Sequence, residues 1–143
     1  MKAEIVEVDV SGEKLKGLKV KYLDNEVIFL NLTTHDIHVM TVFGGGVIEI
    51  PVSGKVARVD FSIKDSYILG GVMVTELEPV RILNLPKKED VPENVVAIVS
   101  NVVKETVKNK GVADYYVKVV TPNTRQAMRD ENGGIVAVKG FIY

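Results

Sequence analysis

A chain of 143 residues, 46% apolar and 26% charged, has room for one ordinary domain with its own core. The charges of its 18 basic and 19 acidic residues nearly cancel, which argues against a nucleic-acid partner. The lack of cysteine excludes thiol catalysis and thiolate metal sites. The N-terminus lacks a signal-peptide pattern and every apolar run is too short to cross a bilayer, so we expect a cytoplasmic protein without membrane contact, in the host cytoplasm if viral.

The beginning of the chain predicts a β-hairpin. Apolar and charged residues alternate over 6–10 and again over 18–22, and Ser11-Gly12 between them predicts a turn. Each strand would then have one apolar face and one wet face. We expect residues 1–26 to be an added N-terminal hairpin and residues 27–143 to form the core of the same single domain.

A series of short strands is predicted next. Residues 27–32 are nearly all apolar, as in a strand buried on both faces. Strands at 37–43 and 47–52 follow, with Phe43-Gly44-Gly45-Gly46 as the turn between them. Neither this glycine run nor Ser53-Gly54-Lys55 has the spacing of a phosphate-binding loop, so both predict hairpin turns.

The most regular alternation in the chain covers residues 57–63. Ala57, Val59, Phe61 and Ile63 alternate there with Arg58, Asp60 and Ser62. We expect the apolar set to face the core, because a shift of one residue would bury the polar set instead. Gly70-Gly71 then turns the chain, and two short strands are predicted at 72–77 and 80–85.

Residues 95–99 predict a strand that leads into the one helix. Ser100 is placed as its N-cap and Gly111 as the glycine that ends it. Three valines of this helix fall near one face and its charged residues near the other. The apolar residues are Val102, Val103 and Val107, and the charged ones are Lys104, Glu105 and Lys108.

The last quarter predicts a strand at 115–120, a long polar connection at 121–134 and a final strand at 135–142. The whole pattern, about ten strands and one helix, predicts a mainly β α+β fold, an antiparallel barrel or sandwich with one helix. Abundant valine and isoleucine agree with this, and the use of lysine and glutamate is typical of hot environments.

The first candidate for chemistry is the Thr-Thr-His-Asp sequence at 33–36. A histidine beside a carboxylate can act as a general base or a metal ligand. The alternative is a polar turn in which these side chains bond local backbone groups. His35 and His38 would face opposite sides of an extended chain, which makes them a poor chelate. We therefore predict no metal site and no cofactor.

The 121–134 connection is the second candidate, because long polar loops on rigid sheets often bind ligands. Arg125 and Arg129 are two guanidinium forks suited to phosphate or carboxylate. Asn132-Gly133 is a strong hairpin signal, so a turn is favoured over 130–134. For the two arginines, a binding role and a structural role both remain open. Arg58, on the polar face of its strand, also has an ordinary interpretation as solvated surface.

Four segments carry a resemblance to a known group of proteins. They are residues 30–37 (L-N-L-T-T-H-D-I), 51–59 (P-V-S-G-K-V-A-R-V), 98–100 (I-V-S) and 127–135 (A-M-R-D-E-N-G-G-I). In this order the chain resembles small uncharacterised proteins of prokaryotic viruses, prophages and bacteria, whose pattern opens L-N-L-T-P-H-x-I.

That resemblance covers roughly the last four-fifths of the chain. Thr34 replaces the proline of the pattern, and the first hairpin is additional. The resemblance implies a viral or mobile-element setting and no particular activity. It marks as polar positions of interest Asn31, Thr33, His35, Ser53, Arg58, Ser100, Arg129 and Asp130.

The leading hypothesis is a small binding module, viral in setting, that recognises a host protein or an anionic small molecule. Its candidate ligand-binding residues are Asn31, Thr33, His35, Ser53, Arg58, Arg125, Arg129 and Asp130. One alternative is a hydrolase of a nucleotide or phosphoester, with His35 as base and Asp36 orienting it. Another is a structural virion or assembly protein built by edge-strand pairing, which would make the chain a homo-oligomer.

Overall fold

The computed structural model describes residues 1–42 and 46–143, and its strands form three sheets. In chain order the strands are β1 (Lys2–Val10), β2 (Glu13–Tyr22), β3 (Asn25–Asn31), β4 (Ile37–Met40), β5 (Val47–Ile50), β6 (Arg58–Leu69), β7 (Val72–Leu83), β8 (Val95–Ile98), β9 (Lys118–Pro122), β10 (Ala127–Arg129), β11 (Ile135–Val138) and β12 (Phe141–Ile142). A short 3-10 helix at Lys88–Asp90 precedes β8, and α1 (Asn101–Asn109) connects β8 to β9. Over the described residues, the prediction of a mainly β α+β fold with one α-helix is confirmed. Most of the turn predicted at Phe43-Gly44-Gly45-Gly46 lies outside them.

The largest sheet has six strands in the order β1-β2-β3-β8-β9-β12, and it is open, with β1 and β12 at its edges. Its three central strands, β3, β8 and β9, run parallel, whereas the other neighbours are antiparallel. The parallel pair β8 and β9 follows from the helix between them, because a helical crossover returns the chain to the same end of the sheet. The sheet is therefore mixed, where the sequence predicted antiparallel pairing.

The N-terminal hairpin, β1 and β2, continues this sheet. β2 pairs with β3 from Leu18↔Phe29 to Tyr22↔Asn25. Val8 and Leu15 are buried in one core of the molecule and Leu18 in the other. These residues stabilise the sheet they extend, so the hairpin is structurally part of the domain.

Two hydrophobic cores lie on opposite faces of the six-stranded sheet. Ala97 and Val99 belong to the first core, with Val103 and Val107 of α1. Ile98, between them in sequence, belongs to the second core. That core also contains residues of the four-stranded sheet β10-β11-β4-β5, namely Ile37, Val39, Ile50 and Val138. The molecule is thus layered, and the chain around β8 is buried on both faces, as parallel central strands are.

The third sheet is a long two-stranded hairpin of β6 and β7. The two strands predicted at 72–77 and 80–85 are one strand, which runs through Pro79. Phe61 and Ile63, expected in the core, are 45% and 68% exposed, so that prediction was wrong. Alternation shows which residues share a face, but it does not show whether another element covers that face.

The ends of the helix agree with the sequence. The Oγ of Ser100 accepts a hydrogen bond from the Val103 N–H at 3.4 Å, and Gly111 has a φ of +66°, as expected of a glycine that ends a helix. Val102 was expected on the apolar face but is 52% exposed, whereas Lys104 is buried. The face of α1 that packs on the sheet is therefore rotated from the one predicted.

The C-terminal part differs from the prediction in its divisions. β9 begins only at Lys118, and the predicted connection contains β10, which pairs with β11. The single strand predicted at 135–142 is divided into β11, in the four-stranded sheet, and β12, in the six-stranded sheet. Both strands contribute to the second core, through Val138 of β11 and Phe141 of β12.

Candidate functional site

The polar residues after β3 bind to one another and to nearby backbone. The amide of Asn31, which is fully buried, donates to the carbonyls of His35 (2.8 Å) and Ile50 (3.1 Å). Its Oδ1 accepts from the N–H and the hydroxyl of Thr33, at 3.0 and 2.6 Å. An asparagine amide has two donor hydrogens and one acceptor oxygen, so all of its groups are engaged. Asn31 and Thr33 therefore hold the turn.

Ser53 and Asp36 complete this polar turn. The buried Ser53 hydroxyl donates to the Lys55 carbonyl at 3.1 Å, and the Ser53 N–H donates to the Asn31 carbonyl at 2.9 Å. Asp36 Oδ1 accepts from the Val52 N–H at 2.9 Å. His35 is exposed, and its ring makes no hydrogen bond within the described part of the chain. The geometry is that of the polar-turn alternative, without a His35–Asp36 dyad.

Arg129 and Asp130 lie in the turn between β10 and β11. The Arg129 guanidinium donates to the Gly133 carbonyl at 2.8 Å. The Asp130 carboxylate accepts from the N–H groups of Asn132 and Gly134, at 2.9 and 2.8 Å. The turn favoured over 130–134 is present, and these two side chains stabilise it.

Arg58 lies apart from these residues, at the start of β6 opposite Leu83. It is exposed, and its guanidinium forms no ion pair or hydrogen bond with any residue that the structure describes. The eight predicted site residues therefore do not form one site. Asn31, Thr33, His35 and Ser53 meet in one turn, Arg129 and Asp130 in another, and Arg58 and Arg125 lie separately.

Arg125 lines a cavity of about 560 Å³ at the carboxyl end of β9 and the N-terminus of α1. Because β8 and β9 are parallel, the start of the helix that follows β8 lies at the same edge of the sheet as the end of β9. The polar residues that line this cavity are Asn101, Lys104, Glu105, Thr121, Thr124 and Arg125.

Lys104 is the unusual residue of this cavity, because its side chain is only 6% exposed. Its Nζ lies 3.5 Å from Glu105 Oε1, and that carboxylate is about half exposed. Among the described residues the ammonium has no hydrogen-bond acceptor beyond this ion pair. An ammonium has three donor hydrogens, so Lys104 has unused capacity for an anion in the cavity.

Two further groups of the cavity are available to a ligand. Thr121 is 6% exposed, and its hydroxyl has no hydrogen-bond partner in the described ranges. The exposed guanidinium of Arg125 likewise has none within residues 1–42 and 46–143. Two cations against one carboxylate leave a net charge of +1, and the helix N-terminus, with its free N–H groups, adds positive potential.

The sequence pointed to Arg125 but missed Lys104 and Thr121. Lys104 was assigned to the charged, outer face of the helix together with Glu105. Its neighbour Val103 and the Val107 that follows one turn later define the buried face, and Lys104 borders it. Assigning Val103 and Val107 to the buried face of the helix, and Val102 to its exposed face, would have predicted that Lys104 is buried.

Comparison of the chain with protein-family models, curated proteins and solved structures finds no significant match. The resemblance to small viral and bacterial proteins therefore stays an expectation. No helix within the described residues is long and apolar enough to cross a membrane. The same residues contain no group of three or more His, Cys, Asp or Glu side chains that could hold a metal ion.

Proposed function

We propose that this protein is a binding module for a small anion, a phosphate- or carboxylate-bearing molecule held at the N-terminus of α1. The observation that carries the proposal is Lys104, whose side chain is only 6% exposed and lines the cavity with one partly exposed carboxylate as its partner. An anion in the cavity would give Lys104 a second, better shielded partner. Charge-assisted hydrogen bonds of this kind are about twice as strong as neutral ones.

The other groups of the cavity suit the same ligand. The Arg125 fork can bind two oxygens of a phosphate or carboxylate at once, and the Thr121 hydroxyl can donate to a third. The N–H groups of the first helical turn favour negative charge at the same place. All of these groups can donate a hydrogen bond, so they favour a ligand rich in acceptor oxygens.

A second large cavity, of about 500 Å³, does not suit an anion. Lys88, Glu89, Glu93 and Asp114 line it, so three carboxylates face one ammonium. The hydrolase alternative gains no support from the geometry either, because the Asp36 carboxylate is bonded to the Val52 N–H and leaves His35 without an orienting partner.

Isothermal titration calorimetry with inorganic phosphate, pyrophosphate and citrate tests the proposal. We expect one of these anions to bind one site per chain, and the preference among them separates phosphate from carboxylate ligands. Lys104→Met and Arg125→Ala should each weaken that binding about tenfold or more, because a charged hydrogen bond is worth about 1.5–3 kcal/mol.

Two matched variants control for charge. Lys21→Met removes an exposed lysine on β2, and Arg58→Ala removes the exposed arginine on β6; both should bind the anion like the parent protein. Lys104→Met should also unfold in urea at no lower concentration, because an apolar side chain of similar length replaces a charged side chain that is nearly buried. Absence of binding by all three anions, or binding lost in Arg58→Ala and kept in Arg125→Ala, would refute the site.

A further inference from the structure

The hairpin of β6 and β7, residues 58–83, extends from the domain as an arm. Each strand has 12 residues, a length of about 40 Å at the rise of a β-strand. Gly70 and Gly71 form its tip with φ of +55° and +77°, as in a tight type I′ turn. Among the described residues, the arm packs against the first core at its base, through Val59 and Ile82.

One face of the arm is mainly apolar, with one pair of small polar residues in its middle. Residues paired across two antiparallel strands share a face, and so do alternate residues along one strand. Leu77 is paired with Ile63, and Met73, four residues before Leu77 in a regular stretch of β7, is paired with Ile68. The apolar residues of this face are therefore Phe61, Ile63, Ile68, Met73, Leu77 and Pro79, and the hydroxyl pair of Ser66 and Thr75 divides them into two groups.

The opposite face is charged from the base to the middle of the arm. Asp60 and Arg81 form an ion pair there at 2.9 Å, and the paired residues Asp65 and Glu76 lie further along. Toward the tip this face carries the apolar residues Tyr67, Leu69, Val72 and Val74. The arm is thus amphipathic in the half nearer its base, and no other described element covers its apolar face. Five side chains of that face, Phe61, Ile63, Ile68, Met73 and Leu77, are between 45% and 68% exposed.

An uncovered arm of this kind is unfavourable in water. A two-stranded hairpin is marginally stable unless it packs against something. The exposed surface of the apolar face is on the order of 600 Å², at the upper end of what a typical monomer exposes. Such a surface is expected to be buried in the working state of the protein.

We propose that the arm mediates self-association, with its apolar face packed on the same face of a second copy. Two such faces would bury on the order of 1,200 Å² in total, which is where stable specific interfaces begin. A net charge of −1 means little repulsion between copies. The face is also compatible with a two-fold axis, because an apolar strip meets itself without leaving a charge unpaired.

The backbone of the arm favours face-to-face packing over edge-to-edge pairing. The register shifts between Asp60 and Phe61 and again between Ile63 and Asp65, so neither outer edge is a regular template. Pro79 in β7 also lacks the N–H that an added strand would need. The edge-strand assembly considered from the sequence is therefore disfavoured at the arm.

This inference is independent of the anion site, because residues 58–83 contribute nothing to the lining of that cavity. Its test is the mass of the protein in solution, measured by sedimentation velocity over micromolar concentrations. We expect the parent chain to sediment at twice its chain mass of 15.7 kDa. Ile63→Asp, on the apolar face, should raise the dimer dissociation constant about a hundredfold, the effect of losing one central contact.

Ser62→Asp is the matched control, because it adds the same charge one residue away on the opposite face, and it should remain dimeric. A second variant shortens the arm: Asn-Gly replaces residues 64–76 and forms the turn between the paired residues Ile63 and Leu77. This variant should fold normally, because the replaced residues belong to neither core, and it should be monomeric. A parent chain that is monomeric throughout, or an oligomer that persists in both Ile63→Asp and the shortened arm, would overturn the proposal.

Discussion

At the scale of single residues, Asn31 is the polar group on which the turn after β3 depends. Its amide satisfies two backbone carbonyls, and its oxygen binds both donors of Thr33. Asn31→Asp keeps the shape of the side chain but replaces the donating amide with a carboxylate that faces two carbonyl oxygens. We expect it to lower the free energy of unfolding by about 2–4 kcal/mol, since the buried Ile50 carbonyl loses its donor and a carboxylate faces both carbonyl oxygens.

Urea unfolding of Asn31→Asp measures this effect. Asn132→Asp is the control, because Asn132 is exposed and Asp-Gly suits its turn as well as Asn-Gly does. Equal stability of the two variants would mean that Asn31 is dispensable to the fold and would return it to the ligand-binding candidates.

The polar residues after β3 were visible in the sequence, but their partners were not. Asn31 bonds the Ile50 carbonyl, 19 residues away, and Asp36 bonds the Val52 N–H, 16 residues away. Such partners depend on how β3 and β5 meet in the folded chain. A pattern of polar residues therefore indicated a special place without showing that its hydrogen bonds were already used internally.

At the scale of elements, the edge hairpin β1–β2 carries a cross-strand ion pair. Lys19 Nζ lies 2.9 Å from Glu4 Oε1, on paired residues. The hydrogen bond from Lys19, and then its charge, hold the pKa of Glu4 below its ordinary value. A lowered carboxyl pKa stabilises the folded state above the ordinary pKa, and this stabilisation is lost as the pH falls through the lowered one.

An NMR pH titration of the Glu4 carboxyl carbon checks this prediction. Its midpoint should lie below the ordinary range of a glutamate, because Lys19 donates a hydrogen bond to this carboxylate. Lys19→Met should return it to the ordinary range with little change in stability, because the pair is exposed to solvent. A Glu4 midpoint that does not move in Lys19→Met would contradict the assigned cause.

Element types were predicted well where local signals decide them, and their environments were not. Ser100 and Gly111 marked the ends of the helix, and Gly70-Gly71 marked the tip of the arm, because caps and tight turns depend on a few neighbouring residues. Burial of Phe61 and Ile63 depends on whether another layer lies over them, and only the tertiary structure determines that. The same limit hid the burial of Lys104.

At the scale of the whole molecule, the chain around β8 connects the two cores. Ala97 and Val99 pack with the helix on one face, while Ile98 packs with the four-stranded sheet on the other. The sequence predicted a strand at this place, but it did not show that a core lies on each face of it. The order of the strands within the six-stranded sheet was not predictable from the sequence. It depends on pairings such as that of β3 with β8, whose residues are more than sixty positions apart in the chain.

This shared strand predicts that both cores unfold together. Ile98→Ala removes contacts from one core and Val103→Ala from the other, and both residues are almost completely buried. Each change should lower the free energy of unfolding by about 2–4 kcal/mol and move one common transition to lower temperature. Both substitutions are introduced into the shortened-arm variant, so that self-association does not affect the result. Differential scanning calorimetry then measures the unfolding transition of each protein. If Ile98→Ala divided the heat absorption into two peaks while Val103→Ala did not, the cores would be separate folding units, and β8 would not couple them.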